Sequence, residues 1–330
     1  METPAMPVKL AMFACLLLAF APIQARAQTA FPDRPIRVIV PFPAGGPTDT
    51  LARGLGEGFR QRTGQTFVIE SRPGANTAIG ALACKAAAPD GYTLCLLGST
   101  SMSLNPHMQK NLRYSRADMI PVTNIAMSRA AFLVHKDVPV NTLAELVEYS
   151  KKNPEKMNYA SFGAGSELHH VMEWFKKKTG AQITHVPFQG FAPALQAFDR
   201  GDIQVLLPSV IQPIVQRVEQ KQAKALFILN DFPADNLPGV PPVSGVGLPP
   251  IGFQTWFGML APAGTPTPIV EKLSEDLRAI VNDKAFADKF IRAIGLVPVT
   301  NTPEEFAKFM DQDFINAGEL VKISGVTLAE

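Results

Sequence analysis

The chain has 330 residues, 46% of them apolar and 18% charged, and carries a formal net charge of +2. That length accommodates about two domains of ordinary size. A balance so close to neutral, with no long run of like charge, excludes the basic face that nucleic-acid binding requires.

Lys9 precedes an apolar stretch from Leu10 to Phe20, followed by Ala25-Arg26-Ala27. A positive start, a short apolar run and an A-x-A box are the marks of an export signal. The run is too short to span a bilayer comfortably, and no later one approaches twenty apolar residues. Residues 1–27 are therefore expected to be removed, leaving a soluble exported chain that begins near Gln28. Without them the formal charge is +1, because Lys9, Arg26 and Glu2 are lost. Cys15 lies inside the apolar run and lacks the small-residue box of a lipid-modified cysteine.

The first elements read as strands at Ile36–Phe42, Thr66–Ser71 and Tyr92–Gly98, with helices at Thr48–Arg62 and Thr77–Ala88 between them. Leu51, Leu55 and Phe59 share one face of the first helix, and Gly64 stops it. This βαβαβ order predicts a parallel sheet with right-handed crossovers. Cys84 and Cys95 fall at similar heights on a helix end and the next strand, at about 1.5 Å per helical and 3.3 Å per strand residue. A disulfide is within reach there and an oxidising compartment permits it. Two small buried apolar side chains is the reading retained.

A second set of strands is expected near Ala131–His135, Met157–Phe162, Ile183–Phe188, Ile203–Leu207 and Ala225–Leu229, with helices between them. Thr142-Leu143-Ala144-Glu145 reads as a capping box. Leu168–Lys178 reads as a helix that Gly180 ends. Prolines are dense from Phe232 to Pro268, so that stretch is loop, crossed by one strand at Phe253–Ala261 that returns to the first set. Helices at Pro268–Ile280 and after the capping box Thr302-Pro303-Glu304-Glu305 close the chain and are expected to pack on the first sheet.

Val-Pro-Phe occurs twice, in Val40-Pro41-Phe42-Pro43-Ala44-Gly45-Gly46-Pro47 and in Val186-Pro187-Phe188-Gln189-Gly190-Phe191-Ala192-Pro193. Each copy runs from a strand through a Gly-bearing turn to a helix start, where unpaired backbone N–H groups favour an anion. Arg72-Pro73-Gly74-Ala75-Asn76-Thr77 and Phe162-Gly163-Ala164-Gly165-Ser166 have the same composition, and Ser99 and Thr100 add hydroxyls after the third strand. Ligands of open α/β sheets bind outside the carboxyl ends of the strands, where all these loops fall. Single loops of this kind are ordinary connections; five together, two sharing a motif, read as a site for a small carboxylate. The candidate contacts are Phe42, Pro43, Ala44, Gly45, Gly46, Thr48, Asp49, Asn76, Ser99, Thr100, Gly163, Gly165, Ser166, His169, Phe188, Gln189 and Gly190.

Catalytic signals are weak. There is no G-x-S-x-G elbow, and Gly163-Ala164-Gly165 lacks the third glycine of a dinucleotide fingerprint. The glycines of Arg53-Gly54-Leu55-Gly56-Glu57-Gly58 lie inside a helix and read as packing positions. His169 and His170 point about 100° apart on a helix and do not share a metal easily. His107, His135 and His185 read as ordinary surface or core. Neither cofactor nor metal is expected.

Phe31-Pro32-Asp33-Arg34-Pro35-Ile36-Arg37 followed by V-P-F-P-A-G-G-P-T-D-T-L-A-R at Val40–Arg53 closely resembles the tripartite tricarboxylate transporter substrate-binding proteins, the TctC or Bug family. The likeness continues at Ser71–Asn76, Ala88–Leu94, Val186–Gly190 and Trp256–Pro266, over nearly the whole exported chain. The resemblance implies an α/β fold of the two-lobed, type II periplasmic-binding-protein kind, each lobe a mostly parallel sheet flanked by helices. Residues 28–130 with 255–330 would form one lobe and 131–254 the other. It implies a periplasmic monomer without catalysis that closes over a carboxylate and delivers it to a two-subunit membrane carrier. A sensor that presents the ligand to a signalling receptor is the alternative, and a hydrolase on the same fold a third. In the family, Val40–Asp49 and Gly163–Ser166 approach the ligand with backbone amides, Phe188-Gln189-Gly190 comes from the opposite lobe, and Thr48, Ser166 and His169 fall at motif positions.

Three departures matter. Gln189 stands where lysine is common, Glu167 where a small hydroxyl residue is common, and Leu207-Pro208-Ser209 replaces a more polar stretch. They favour a monocarboxylate, an aromatic acid, or a ligand whose own amine faces Glu167 over citrate.

Overall fold

The computed structural model describes residues 31–231, 234 and 236–326; the expected export segment and its cleavage site lie outside them. The elements belong to one unit, Arg34–Glu330. Strand β1 (Ile36–Val40) leads to helix α1 (Pro47–Thr63), β2 (Phe67–Ser71), α2 (Ala78–Lys85) and β3 (Thr93–Gly98). Both β2 and β3 lie parallel to β1, so β1 is central, as the alternating pattern predicts. Leu51, Leu55 and Phe59 of α1 are fully buried. Each contributes roughly 1.5–3 kcal/mol of transfer free energy on leaving water. Gly64 ends α1 at φ 78°, where its N–H reaches the Arg60 carbonyl.

The three glycines of α1 are packing positions. A Cβ on Gly54 would lie 2.5 Å from the Phe290 ring, one on Gly58 2.5 Å from Ile280, and one on Gly56 3.1 Å from Phe67.

Strand β4 (Met119–Ser128) was not expected from the sequence. Pro121, Thr123 and Asn124 interrupt its apolar pattern. It tolerates Pro121 because β11 (Leu296–Pro298) pairs only with Ala126–Ser128, leaving the proline on an uncovered edge. Strand β10 (Trp256–Pro262) inserts antiparallel between β3 and β4, giving the order β11-β4-β10-β3-β1-β2. This places the returning strand in the first sheet. It also makes that sheet mixed rather than mostly parallel.

The second sheet has the order β7-β6-β8-β5-β9. It comprises β5 (Ala131–His135), β6 (Asn158–Ser161), β7 (Thr184–Pro187), β8 (Val205–Leu206) and β9 (Ala223–Ile228). Strands β6, β7 and β8 run parallel, while β5 runs antiparallel to β8 and β9. Its helices are α3 (Leu143–Lys152), α4 (Glu167–Thr179), α5 (Phe191–Asp199) and α6 (Gln212–Glu219). Two sheets flanked by helices make a two-lobed α/β architecture. Only Arg129 and Ala130 separate β4 from β5, and residues 229–255 carry the chain back from β9 to β10.

Helix α7 (Thr267–Asn282) packs on β4 and α1. Helix α8 (Pro303–Ser324) bridges both sheets. Phe306 and Met310 near its start join the core of the first, and Ala317 and Leu320 near its end join the core that contains Tyr159, Trp174 and Phe227. The capping box of Thr302 and Glu305 is complete. At α3 the Glu145 N–H reaches Thr142, but the Glu145 carboxylate takes the Asn141 N–H rather than that of Thr142.

Cys84 and Cys95 form a disulfide, contrary to the reading of two unlinked apolar side chains. Both are fully buried, so packing and bridging coincide at this pair.

Candidate functional site

The loop from Pro41 to Gly46 leaves the end of β1, and the parallel register sets it beside the ends of β2 and β3. Gly46 is the N-cap of α1 and offers no side chain to cap it. Thr48 and Asp49 are buried, while Pro43, Ala44 and Gly45 are exposed. Asp49 Oδ2 accepts from the Gly45 N–H at 3.0 Å and from Arg53 Nε at 2.8 Å. Arg53 and then Gly45 hold the Asp49 carboxyl below the usual carboxylate range. Asp49 therefore occupies one amide expected for a ligand. The N–H groups of Gly46, Thr48 and Asp49 find no acceptor among the described residues. Phe42 meets Phe257 edge-on at 5.9 Å, tying this loop to the start of β10.

The loop after β2 turns through three consecutive left-handed residues, Ala75 (φ 46°), Asn76 (φ 50°) and Thr77 (φ 73°). Such φ values are unfavourable for side-chain-bearing residues and need support from neighbours. The segment after β3 supplies it. Asn105 Nδ2 donates to the Asn76 carbonyl at 2.8 Å, and Asn76 Nδ2 donates to Asn105 Oδ1 at 2.9 Å. Thr77 and Ser101 hydroxyls lie 2.7 Å apart, and Tyr114 donates to the Ser101 carbonyl at 2.7 Å. Burial pushes the Tyr114 phenol up to about 12. Ser99 is buried and Thr100 opens a one-turn π-helix.

On the second sheet, β6 and β7 end side by side. The Phe188 N–H donates to the Ser161 carbonyl at 2.8 Å, which sets the Phe188–Gly190 turn against the Phe162–Ser166 loop. Gly190 has φ 109° and caps α5 without a side chain, and Gln189 is exposed. The N–H groups of Gly190, Phe191 and Ala192 have no acceptor among the described residues. At α4, the Ser166 hydroxyl donates backward to the Gly163 carbonyl at 2.7 Å instead of capping its own helix. The Glu167, Leu168 and His169 N–H groups are therefore equally open among the described residues.

His169 faces inward from the first turn of α4. The Gly165 N–H donates to its Nδ1 at 3.1 Å, so its proton resides on Nε2. Its ring stacks on His185 at 4.0 Å, and His185 stacks in turn on Tyr159 at 5.0 Å. Burial lowers the pKa of both imidazoles, that of His185 to about 4. His185 was expected to be ordinary. The isolated spacing of a strand histidine carries no sign that it will meet a helix histidine from elsewhere in the chain.

Two acidic residues complete this region. Asp313 of α8 is buried and accepts from Ser103 Oγ at 2.6 Å, Trp256 Nε1 at 2.8 Å and the Gln254 N–H at 3.1 Å. It thereby links the segment after β3, the start of β10 and α8. Glu167, the first residue of α4, makes no side-chain hydrogen bond or ion pair among the described residues. Burial, and then the charge of Asp313, push its carboxyl up to about 8 although part of its surface stays open.

No group of three or more metal-ligating side chains converges among the described residues. A groove of about 510 Å³ lies elsewhere, between α7 and the start of α8, lined in part by Thr265, Ser274 and Arg278. The antiparallel register of β10 on β3 puts it at the opposite end of the first sheet from the Val40 loop. It contains none of the expected contacts.

Two α/β lobes with strand-to-helix loops gathered at the strand ends are the architecture of periplasmic binding proteins, as in the solved BugD, similar at TM-score 0.75 and 30% identity over 90% of this chain and 99% of that one. Residues 51–326 match the model of the TctC family, described as the tripartite tricarboxylate transporter family receptor, and the chain belongs to that family. It is 32% identical to a UPF0065 protein of Bordetella pertussis over 95% of this chain and 96% of that protein. It is 29% identical to the protein BugT of the same organism over 93% and 94%. Among solved structures it is similar to the R. palustris protein Rpa4515 with adipate, at TM-score 0.79 and 29% identity, covering 90% of this chain and 99% of that one. The malate-bound MatC of Rhodopseudomonas palustris matches at TM-score 0.75 and 27% identity, covering 88% and 100%.

Proposed function

We propose that this protein is a periplasmic solute-binding protein that captures a small carboxylate between its lobes for uptake by a tripartite tricarboxylate carrier. The reading rests on one observation: α1, α4 and α5 each begin with backbone N–H groups that no described residue accepts, at strand ends in both sheets. Helix starts of this kind stabilise an anion through aligned amides and the helix dipole. Hydrogen bonds to a charged group contribute roughly 1.5–3 kcal/mol each. A few of them reach the roughly 8 kcal/mol of micromolar binding. The adipate and malate held by two relatives support the ligand class.

The lobes are assigned to residues 28–130 with 255–330 and to 131–254, with the crossing near Arg129 and the return just before β10 as hinges. The candidate contacts from Phe42 to Gly190 face each other across them. A ligand favours the closed state only through contacts from both lobes. The protein acts as a monomer, binds without chemical turnover and presents its closed form to a two-subunit membrane carrier.

Among the described residues the loops offer no unpaired cation: Arg72 pairs with Glu70, Arg53 pairs with Asp49, and position 189 is glutamine. A tricarboxylate is therefore disfavoured. Thermal shift with a carboxylate panel tests this. Melting should rise with singly charged or zwitterionic acids and stay flat with citrate; a rise with citrate and with none of the others would overturn the preference.

A further inference from the structure

We infer that Asn105 and Tyr114 are positioning residues for ligand capture: without touching the solute, they set its affinity by holding the turn at Ala75, Asn76 and Thr77 in its left-handed conformation. The inference rests on the carboxylate-capture reading and deepens it.

Three consecutive side-chain-bearing residues at φ 46°, 50° and 73° form a turn that these residue types do not favour by themselves. One closed network grips it at two adjacent residues. Asn105 Nδ2 donates to the Asn76 carbonyl at 2.8 Å and to Tyr114 Oη at 3.2 Å, while Asn105 Oδ1 accepts from Asn76 Nδ2 at 2.9 Å. Tyr114 donates to the Ser101 carbonyl at 2.7 Å, and the Ser101 hydroxyl lies 2.7 Å from that of Thr77. The segment that supplies this grip is itself anchored to α8. Ser103 donates to Asp313 at 2.6 Å, and His107 Nε2 lies 2.9 Å from the Phe314 carbonyl oxygen. Asn105 is 0% exposed and Tyr114 4%, and the polar atoms of both are spent on protein groups. Neither reaches a solute, so any effect on binding passes through the turn.

The turn matters for what it carries. The N–H groups of Ala75, Asn76 and Thr77 find no acceptor among the described residues, so they are donors of the same kind as those open at the starts of α1, α4 and α5. The turn also backs the Pro41–Gly46 loop. The Arg72 N–H donates to the Val40 carbonyl at 2.8 Å, and a Cβ on Gly80 of α2 would lie 2.6 Å from Pro41 Cβ. Without its support the turn relaxes toward ordinary φ values, and a ligand has to restore it on binding. Ordering a loop at the moment of binding weakens affinity, and a loop ordered beforehand avoids that loss.

Calorimetry on the full exported chain tests this with hexanoate, benzoate, adipate and malate as probes. For whichever probe the parent binds most tightly, Asn105→Leu should weaken binding about tenfold or more and Tyr114→Phe about threefold or more. Tyr114→Phe removes a single oxygen and decides the matter alone if Asn105→Leu does not fold. Gly58→Ala is the control for general destabilisation, since its Cβ would lie 2.5 Å from Ile280, on α7. It should bind within about twofold of the parent. Glycine enters the left-handed region freely, and Ala75 is exposed and outside the network. Adding Ala75→Gly to either weakened variant should therefore recover affinity about twofold or more. Parent-like affinity in Tyr114→Phe, an equal loss in Gly58→Ala, or a loss that Ala75→Gly leaves unchanged would overturn the inference and leave carboxylate capture standing. A parent that binds none of the probes would count against both.

Discussion

The imidazole of His169 on α4 lies flat against that of His185 on β7, with ring centroids 4.0 Å apart. Next to them His170, fully buried, bonds Ser324 through Nδ1 and contacts Met108 sulfur through Nε2. Burial first, and then the charge of His169, hold both His170 and His185 down to about 4. An unfolded histidine titrates near 6.5. Between about 6.5 and 4 the unfolded chain therefore binds more protons than the native one, and stability falls as pH drops through that window. His170 alone is worth roughly 3 kcal/mol at 1.36 kcal/mol per pKa unit. Urea midpoints at pH 7, 5.5 and 4.5 should fall steadily, and less steeply in His170→Gln. Equal slopes for the two proteins would contradict this reading of the histidines.

The Cys84–Cys95 disulfide joins residues 11 apart in sequence, from the end of α2 to the middle of β3. Closing a loop of that length stabilises the native state by roughly 3 kcal/mol through the unfolded chain. The double variant Cys84→Ala, Cys95→Ala should lose about that much in a denaturant titration under non-reducing conditions. A variant as stable as the parent would mean that the bridge contributes nothing beyond packing.

Gly98 ends β3 where the chain enters the segment proposed to face the ligand. A Cβ there would lie 2.5 Å from the Trp256 carbonyl oxygen, which is backbone and cannot rotate away. Gly98→Ala should cost about 1–3 kcal/mol by overpacking. It should also weaken carboxylate binding, because Ser99 and Thr100 follow directly. Gly45→Ser is the contrast: nothing lies within 4 Å of its missing Cβ, and only its φ of 80° opposes the change. That substitution should cost less in folding than Gly98→Ala, as paired melting curves would show.

Local signals carried much of this fold. Leu51, Leu55 and Phe59, the stop at Gly64 and the capping box at Thr302 are encoded within a few residues of themselves, and each holds in the structure. Strand β4 was illegible because its pairing with β10 overrides the polar and proline interruptions of its own pattern. The disulfide was ambiguous because burial and bridging ask for the same small residue. In the site, the Gly-bearing loops and His169 were visible as motifs. What holds them was not: Asn105 supporting the strained turn at Asn76, Asp313 joining three segments, and His185 stacking on His169 are long-range pairings with no local signature.

Open amides from both lobes are proposed to grip one carboxylate. Glycine-labelled protein resolves it by NMR, because Gly45 and Gly46 report on the first lobe and Gly163, Gly165 and Gly190 on the second. On titration with whichever panel acid raises the melting temperature most, signals from both groups should shift together along one saturation curve. Shifts confined to one group, or centred on Gly264 beside the groove between α7 and α8, would contradict the account.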